Sequence, residues 1–134
     1  MKLNSDCIRD ILLMVEDKSG FNRYAEYLKT KCTDERLSKY QHDEIMYHIS
    51  QCEQAELITG VKFMTKDYVV ISDLTPKGHE FIANIRQDNV WNGVKSIAKK
   101  VGSTSLSALI SISSNVITEL IKAQFGIGTF TPIS

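Results

Sequence analysis

Net charge is what this sequence most plainly lacks: sixteen lysines and arginines balance sixteen aspartates and glutamates over 134 residues. A balanced chain has no general attraction for nucleic acid or an anionic membrane, so binding of either kind needs a local patch. Cysteine is scarce too. Cys7, Cys32 and Cys52 are odd in number and share no regular spacing. That excludes an ordinary disulfide framework and makes a reducing cytoplasm the expected compartment. The start of the chain meets charge within ten residues and has no apolar core segment, so no signal peptide is expected. No uninterrupted apolar run reaches the length of a membrane span. Internal repeats and low-complexity tracts are missing as well. What remains is of ordinary globular composition, 43% hydrophobic and 24% charged, and the length makes one domain the default.

Recognisable chemistry is equally sparse. There is no G-x-G-x-x-G, P-loop or serine elbow, and no C-x-x-C or H-x-x-x-H pair. His48 and Cys52 are four apart and would share a helical face, with Cys32 or His79 able to complete a zinc set. A small core cysteine and a histidine at the core margin explain the same spacing. Nothing in the sequence brings His42, His48 or His79 to a cysteine, as a nucleophile and its base require. The expectation is a non-enzymatic protein with no metal and no cofactor.

What is present is a clear run of elements. Asn4 or Ser5 can cap a first helix whose Ile8, Ile11, Leu12 and Val15 recur at helical spacing; Lys18, Ser19 and Gly20 give it a basic last turn and a glycine stop. A short strand is expected over residues 23–28, and mostly loop over 29–39. Helical periodicity returns over 41–56, with Ile45, Met46, Ile49 and Cys52 along one side. LITGVKFMT and DYVVISDL read as two β-runs joined near Thr65, Lys66 and Asp67, a hairpin without the usual turn glycine, with Gly60 inside the first run. Thr75 then suits an N-cap and Pro76 the first helical position. Gly78 sits three residues in, where glycine costs about 1 kcal/mol against alanine; a closely packed neighbour would explain it. Phe81, Ile82 and Ile85 supply the buried face. A further helix from about Asn89 carries Trp91, Val94, Ile97, Ala98 and Val101, closed by Gly102. A last one, capped by Thr104 or Ser105, carries Leu106, Leu109, Ile110, Val116, Ile117, Leu120 and Ile121, ended by Gly126.

The order predicts an α+β, mostly helical fold: a winged-helix-like core with a β-hairpin wing (residues 1–88), two appended C-terminal helices (89–126) and a tail (127–134). The Leu74, Thr75, Gly78, Phe81 pattern is common where such a core leaves its wing. Three stretches, MKLNSDCIRDILL, HDEIMYHISQCEQAELITGVKF and SDLTPKGHEFIANIRQDNVWNGVKSIAKKVGSTSLSAL, resemble the family grouped as domain of unknown function 2513. The resemblance implies a winged-helix-like cytoplasmic protein of bacteria and phages, frequent in prophages of low-GC Gram-positive bacteria, and implies no reaction. The chain departs from the family pattern at Gln41, where a serine-like cap is usual, and in an extended loop over 29–39.

Three candidate surfaces follow. The helix over 41–56 is the one a winged helix offers to the major groove. It carries Asp43, Glu44, Glu53 and Glu56 and no lysine or arginine. Gln51 and Gln54 have the chemistry to read adenine, but four carboxylates beside a phosphate backbone repel. Asp43, Glu44, Tyr47, Gln51 and Gln54 are therefore assigned to binding another protein, such as a host factor. The runner-up is a DNA-binding transcriptional regulator that grips the backbone through Lys29, Lys31, Arg36, Lys39, Lys62 and Lys66. Third, Trp91 with Leu106, Leu109, Ile110, Val116, Ile117 and Leu120 is assigned to a homodimer contact, the serines between residues 103 and 114 letting helices approach. No membrane partner is expected.

Overall fold

The fold is that of a computed structural model and is described for residues 1–31 and 34–125. It is mostly helical α+β: six α-helices and five short strands among the described residues. By internal packing the chain divides into two units, Met1–Ala83 and the residues from Asn84 onward.

Helix α1 (Ser5–Lys18) is the hub of the first unit. Asn4 caps it, its side-chain oxygen accepting from the Asp6 and Cys7 amides. Cys7, Ile8, Ile11, Leu12, Met14 and Val15 are buried, and the helix packs on β1 (Ala25–Leu28), α2 (Glu35–Ser38), α3 (His42–Gln54) and β5 (Asp73–Leu74). Its end corrects the expected glycine stop. Ser19, in extended conformation, terminates the helix, its hydroxyl donating to Asp73 Oδ1 at 3.1 Å. Gly20 instead pairs with Arg23 across a tight turn. Strand β1 (Ala25–Leu28) follows.

The loop expected over 29–39 holds two short helical pieces: a 3-10 turn at Lys29–Lys31 and α2 (Glu35–Ser38). Asp34 caps α2 by accepting from the Arg36 amide at 2.9 Å, and Leu37 is the one side chain α2 buries. A single apolar residue gives no periodicity, which is why the sequence does not announce it.

Helix α3 (His42–Gln54) starts at Gln41, which makes no side-chain capping bond. Its far end is a Schellman closure: Glu56 N–H donates to Glu53 O, and Leu57 N–H to Cys52 O. Glu56 takes the left-handed position, φ 62°, where glycine is usual. Relief of that strain, offset in part by glycine's greater freedom when unfolded, leads us to expect Glu56→Gly to stabilise by about 0.5 kcal/mol in urea unfolding.

The two β-runs are each broken. Gly60 is not inside a strand; it marks a bend between β2 (Ile58–Thr59) and β3 (Lys62–Thr65). Likewise β4 (Tyr68–Ile71) is separate from β5 (Asp73–Leu74). β2 pairs with β5, while β1, β4 and β3 form an antiparallel sheet in that order. Ala25 opposite Ile71 and Tyr27 opposite Val69 face inward and are buried. Glu26 opposite Val70 and Leu28 opposite Tyr68 occupy the other face, the period-two pattern of a one-sided sheet. The β3–β4 hairpin turns at Lys66 and Asp67 with no positive φ, and the register shifts between Phe63 and Thr65 to accommodate it.

Helix α4 (Pro76–Ile85) begins as its residues dictate. The Thr75 hydroxyl accepts from the Gly78 amide at 3.0 Å and donates to Glu56 O at 2.6 Å. The Thr75 amide donates to Leu57 O, and Lys77 Nζ to Ala55 O. A Cβ at Gly78 would overlap the Leu57 carbonyl oxygen, so the closing turn of α3 is the neighbour that the glycine admits. Beyond it lie α5 (Asp88–Val101), ended by Gly102 at φ 77°, and α6 (Leu106–Gln124), capped by Ser105, which accepts from the Ala108 amide. These two helices pack on each other. The expected stop at Gly126 and the tail beyond lie outside the described residues.

Candidate functional site

On α3, Asp43 and Gln54 are exposed, while Glu44, Tyr47 and Gln51 are half-buried. Asp43 and Glu44 lie in the first turn, where carboxylates are stabilised by the helix dipole. Glu44 also accepts from Asn4 Nδ2 at 3.2 Å, and Gln54 donates to Ser50 Oγ at 3.1 Å. Glu53 and Glu56 are exposed. The solvent side of α3 is thus acidic, with no cation of its own. His48 is not at the core margin but fully buried. Its Nε2 accepts from the Asn4 amide at 2.7 Å, and its Nδ1 faces Glu44 O at 2.7 Å. The amide at Nε2 places the ring proton on Nδ1, so the imidazole ties the start of α1 to α3.

The six candidate DNA-binding cations separate into two groups. Arg36 is taken: its guanidinium donates to both carboxylate oxygens of Asp34 and to Asp17 at 2.7 Å. This fork holds the Asp34 carboxyl below its usual range and raises Arg36 above its own. Lys39 pairs with Asp10 at 3.1 Å. Lys29, Lys31, Lys62 and Lys66 are exposed and form no ion pair with a described residue. The hairpin tip is fixed from behind. His42 stacks on Tyr27, bonds to its hydroxyl at 2.8 Å, and reaches Lys66 O at 3.0 Å and Asp67 Oδ1 at 3.3 Å. The Lys29 amide donates to Asp67 O.

Beside the hairpin lies a surface the sequence did not single out. An open hollow of about 300 Å³ is lined by Tyr24, Gly60, Lys62, Met64, Tyr68, Val70 and Ser72. A second, sharing Tyr24 and Ser72, continues past Phe21 and Arg23. Tyr24 and Met64 are 66% and 56% exposed, and Phe21 is wholly so. The only advance signal was alternation in β4, which leaves Tyr68 and Val70 on the face opposite Val69 and Ile71.

Cys7 and Cys52 are buried free thiols. Burial, reinforced by the Glu44 and Asp10 charges, pushes Cys7 up to about 12, and burial likewise raises Cys52, the opposite of an activated nucleophile. Burial and the 2.6 Å bond to Asp10 keep the Tyr40 hydroxyl protonated. Among the described residues no group of three or more His, Cys, Asp or Glu is placed to hold a metal; Cys32 lies outside them.

The assigned dimer surface is only partly a surface. Trp91 is 2% exposed and Leu109 1%, so both belong to the interior. Leu106, Ile110, Val116 and Ile117 are half-buried, and Leu120 is exposed. Ile97 and Val101, expected in the α5 stripe, are exposed; Val90 takes a buried place instead. Ile97, Ile112, Val116 and Leu120 line an apolar groove between α5 and α6. By length and composition α6 is also apolar enough to cross a membrane, although no such span was read in the sequence.

The geometry thus defines a mostly helical α+β protein with an acidic helix, a hairpin that carries Lys62 and Lys66, and a partly apolar hollow beside it. Residues 2–105 match the family DUF2513, described as a hypothetical protein, and the chain belongs to that family. It is 27% identical over 124 residues to an uncharacterized protein of Haemophilus influenzae, an alignment that covers 90% of this chain and 99% of the relative. No solved structure matches the chain significantly.

Proposed function

We propose that this chain is a non-enzymatic interaction protein of winged-helix type, of phage or prophage character, that acts in the cytoplasm by binding another protein. The observation that carries the reading is the acidic solvent side of α3, the helix such a fold would present to a major groove. A phosphate backbone meets repulsion there, and two of the six candidate cations are already held by carboxylates. The second reading, a DNA-binding regulator, is favoured by the four uncommitted lysines, of which Lys62 and Lys66 lie on the hairpin.

Fluorescence anisotropy against mixed-sequence duplex DNA at low salt separates the two. Protein binding predicts no saturable change. DNA binding through four lysines predicts a titration whose log affinity falls with log salt at a slope of about −3.6. Tight, salt-sensitive binding that Lys62→Ala and Lys66→Ala weaken would overturn the first reading.

A further inference from the structure

We propose that the hollow on the outer face of the β1–β4–β3 sheet docks an acidic segment of a partner protein, seating an aromatic or aliphatic side chain between Tyr24, Met64, Tyr68 and Val70. The inference rests on the protein-binding reading above and names the chemistry of the partner. Two tyrosines, a methionine and a valine line this one concavity together instead of standing singly over the surface. Register places three of them there. Tyr68 and Val70 occupy the outer positions of β4, and Met64 lies at the register shift of β3.

Charge selects the occupant. Arg23 and Lys62 stand in the lining of the two adjoining hollows, and neither lining includes a carboxylate. The Glu26 carboxylate, opposite Val70 on the same face, accepts from the Tyr68 hydroxyl at 2.6 Å, which also raises the tyrosine's own pKa; Arg23 and Lys62 outnumber it. Exposed cations around an apolar floor complement a segment that carries aspartate or glutamate beside an apolar anchor. A nucleic-acid strand fits less well. It needs a row of phosphate contacts, and although Tyr24 and Tyr68 offer rings to stack on bases, the cations in these two linings are Arg23 and Lys62 alone.

The test is a selection of random dodecapeptides displayed on phage against the full-length chain, counter-selected on the Arg23→Glu, Lys62→Glu double variant. Enriched peptides should carry net negative charge around an aromatic or aliphatic residue. A synthetic copy should bind the double variant roughly tenfold or more weakly than wild type and lose affinity on Tyr24→Ala. Unchanged circular dichroism would show that the variants keep their fold. No enrichment, a basic consensus, or equal affinity for the charge-reversed protein overturns this inference and leaves the protein-binding reading standing. Displacement of the peptide by an oligothymidylate that itself binds tightly removes both.

Discussion

Gly78→Ala should destabilise this protein by about 3 kcal/mol, although alanine is the better helix former. On an open helix the exchange would gain about 1 kcal/mol. Here the added methyl group would overlap the Leu57 carbonyl oxygen and lie 3.0 Å from its carbon. Both sides of that contact are fixed. The Leu57 carbonyl accepts the Thr75 amide, and the Leu57 amide closes α3 on Cys52. Relief requires α4 to move off α3, which also strains the Thr75 bond to Glu56; overpacking against backbone of this kind costs 1–3 kcal/mol and occasionally more. Thermal unfolding followed by circular dichroism should show a melting temperature lower by roughly 10 °C or more. Gly93 is the internal control. It too is helical, but a Cβ there meets nothing within 4 Å, so Gly93→Ala should be neutral or stabilising by up to about 1 kcal/mol. Equal effects at the two positions would show that the close approach at Gly78 is not what constrains it.

His48→Ala should cost a similar amount, about 3 kcal/mol, for a different reason. The substitution empties a fully buried site and removes both bonds of the ring, leaving the Asn4 amide and the Glu44 carbonyl without that partner. A buried group so orphaned costs about 1–3 kcal/mol, and the cavity adds to it. His48→Phe restores volume but not the acceptor at Nε2, so its stability should fall between wild type and His48→Ala. Urea unfolding distinguishes the cases. If phenylalanine proved fully equivalent to histidine, the two hydrogen bonds would contribute nothing, and the link between α1 and α3 would be packing alone.

These two residues also show where a sequence can and cannot be read. Gly78 was legible because a glycine inside a capped helix violates local preference, and the violation implies a close neighbour; which neighbour was not legible. His48 was misplaced because spacing puts a residue on a face without saying how deep that face goes. α2 escaped notice because it buries only Leu37 and its cap, Asp34, has no apolar period behind it. The basic set was read as six lysines and arginines of one kind. Asp34, which also holds Arg36, is local, but Asp17 and Asp10, the partners of Arg36 and Lys39 on α1, lie 19 and 29 residues away, and no local rule joins them.

Local chemistry in the chain alone determined the starts of α1, α4 and α6, the hairpin near Lys66 and Asp67, the mostly helical character and the absence of cations from α3. Each of these is decided by residues within a few positions of one another, through caps, fixed φ angles and alternation. Tertiary structure alone decided which charges remain uncommitted, how much of α6 stays outside, and that Tyr24, Met64, Tyr68 and Val70 meet around one hollow. Those outcomes depend on strand order and register, because β1 reaches β4 across some forty residues and only the shared burial of Ala25, Tyr27, Val69 and Ile71 fixes how they align.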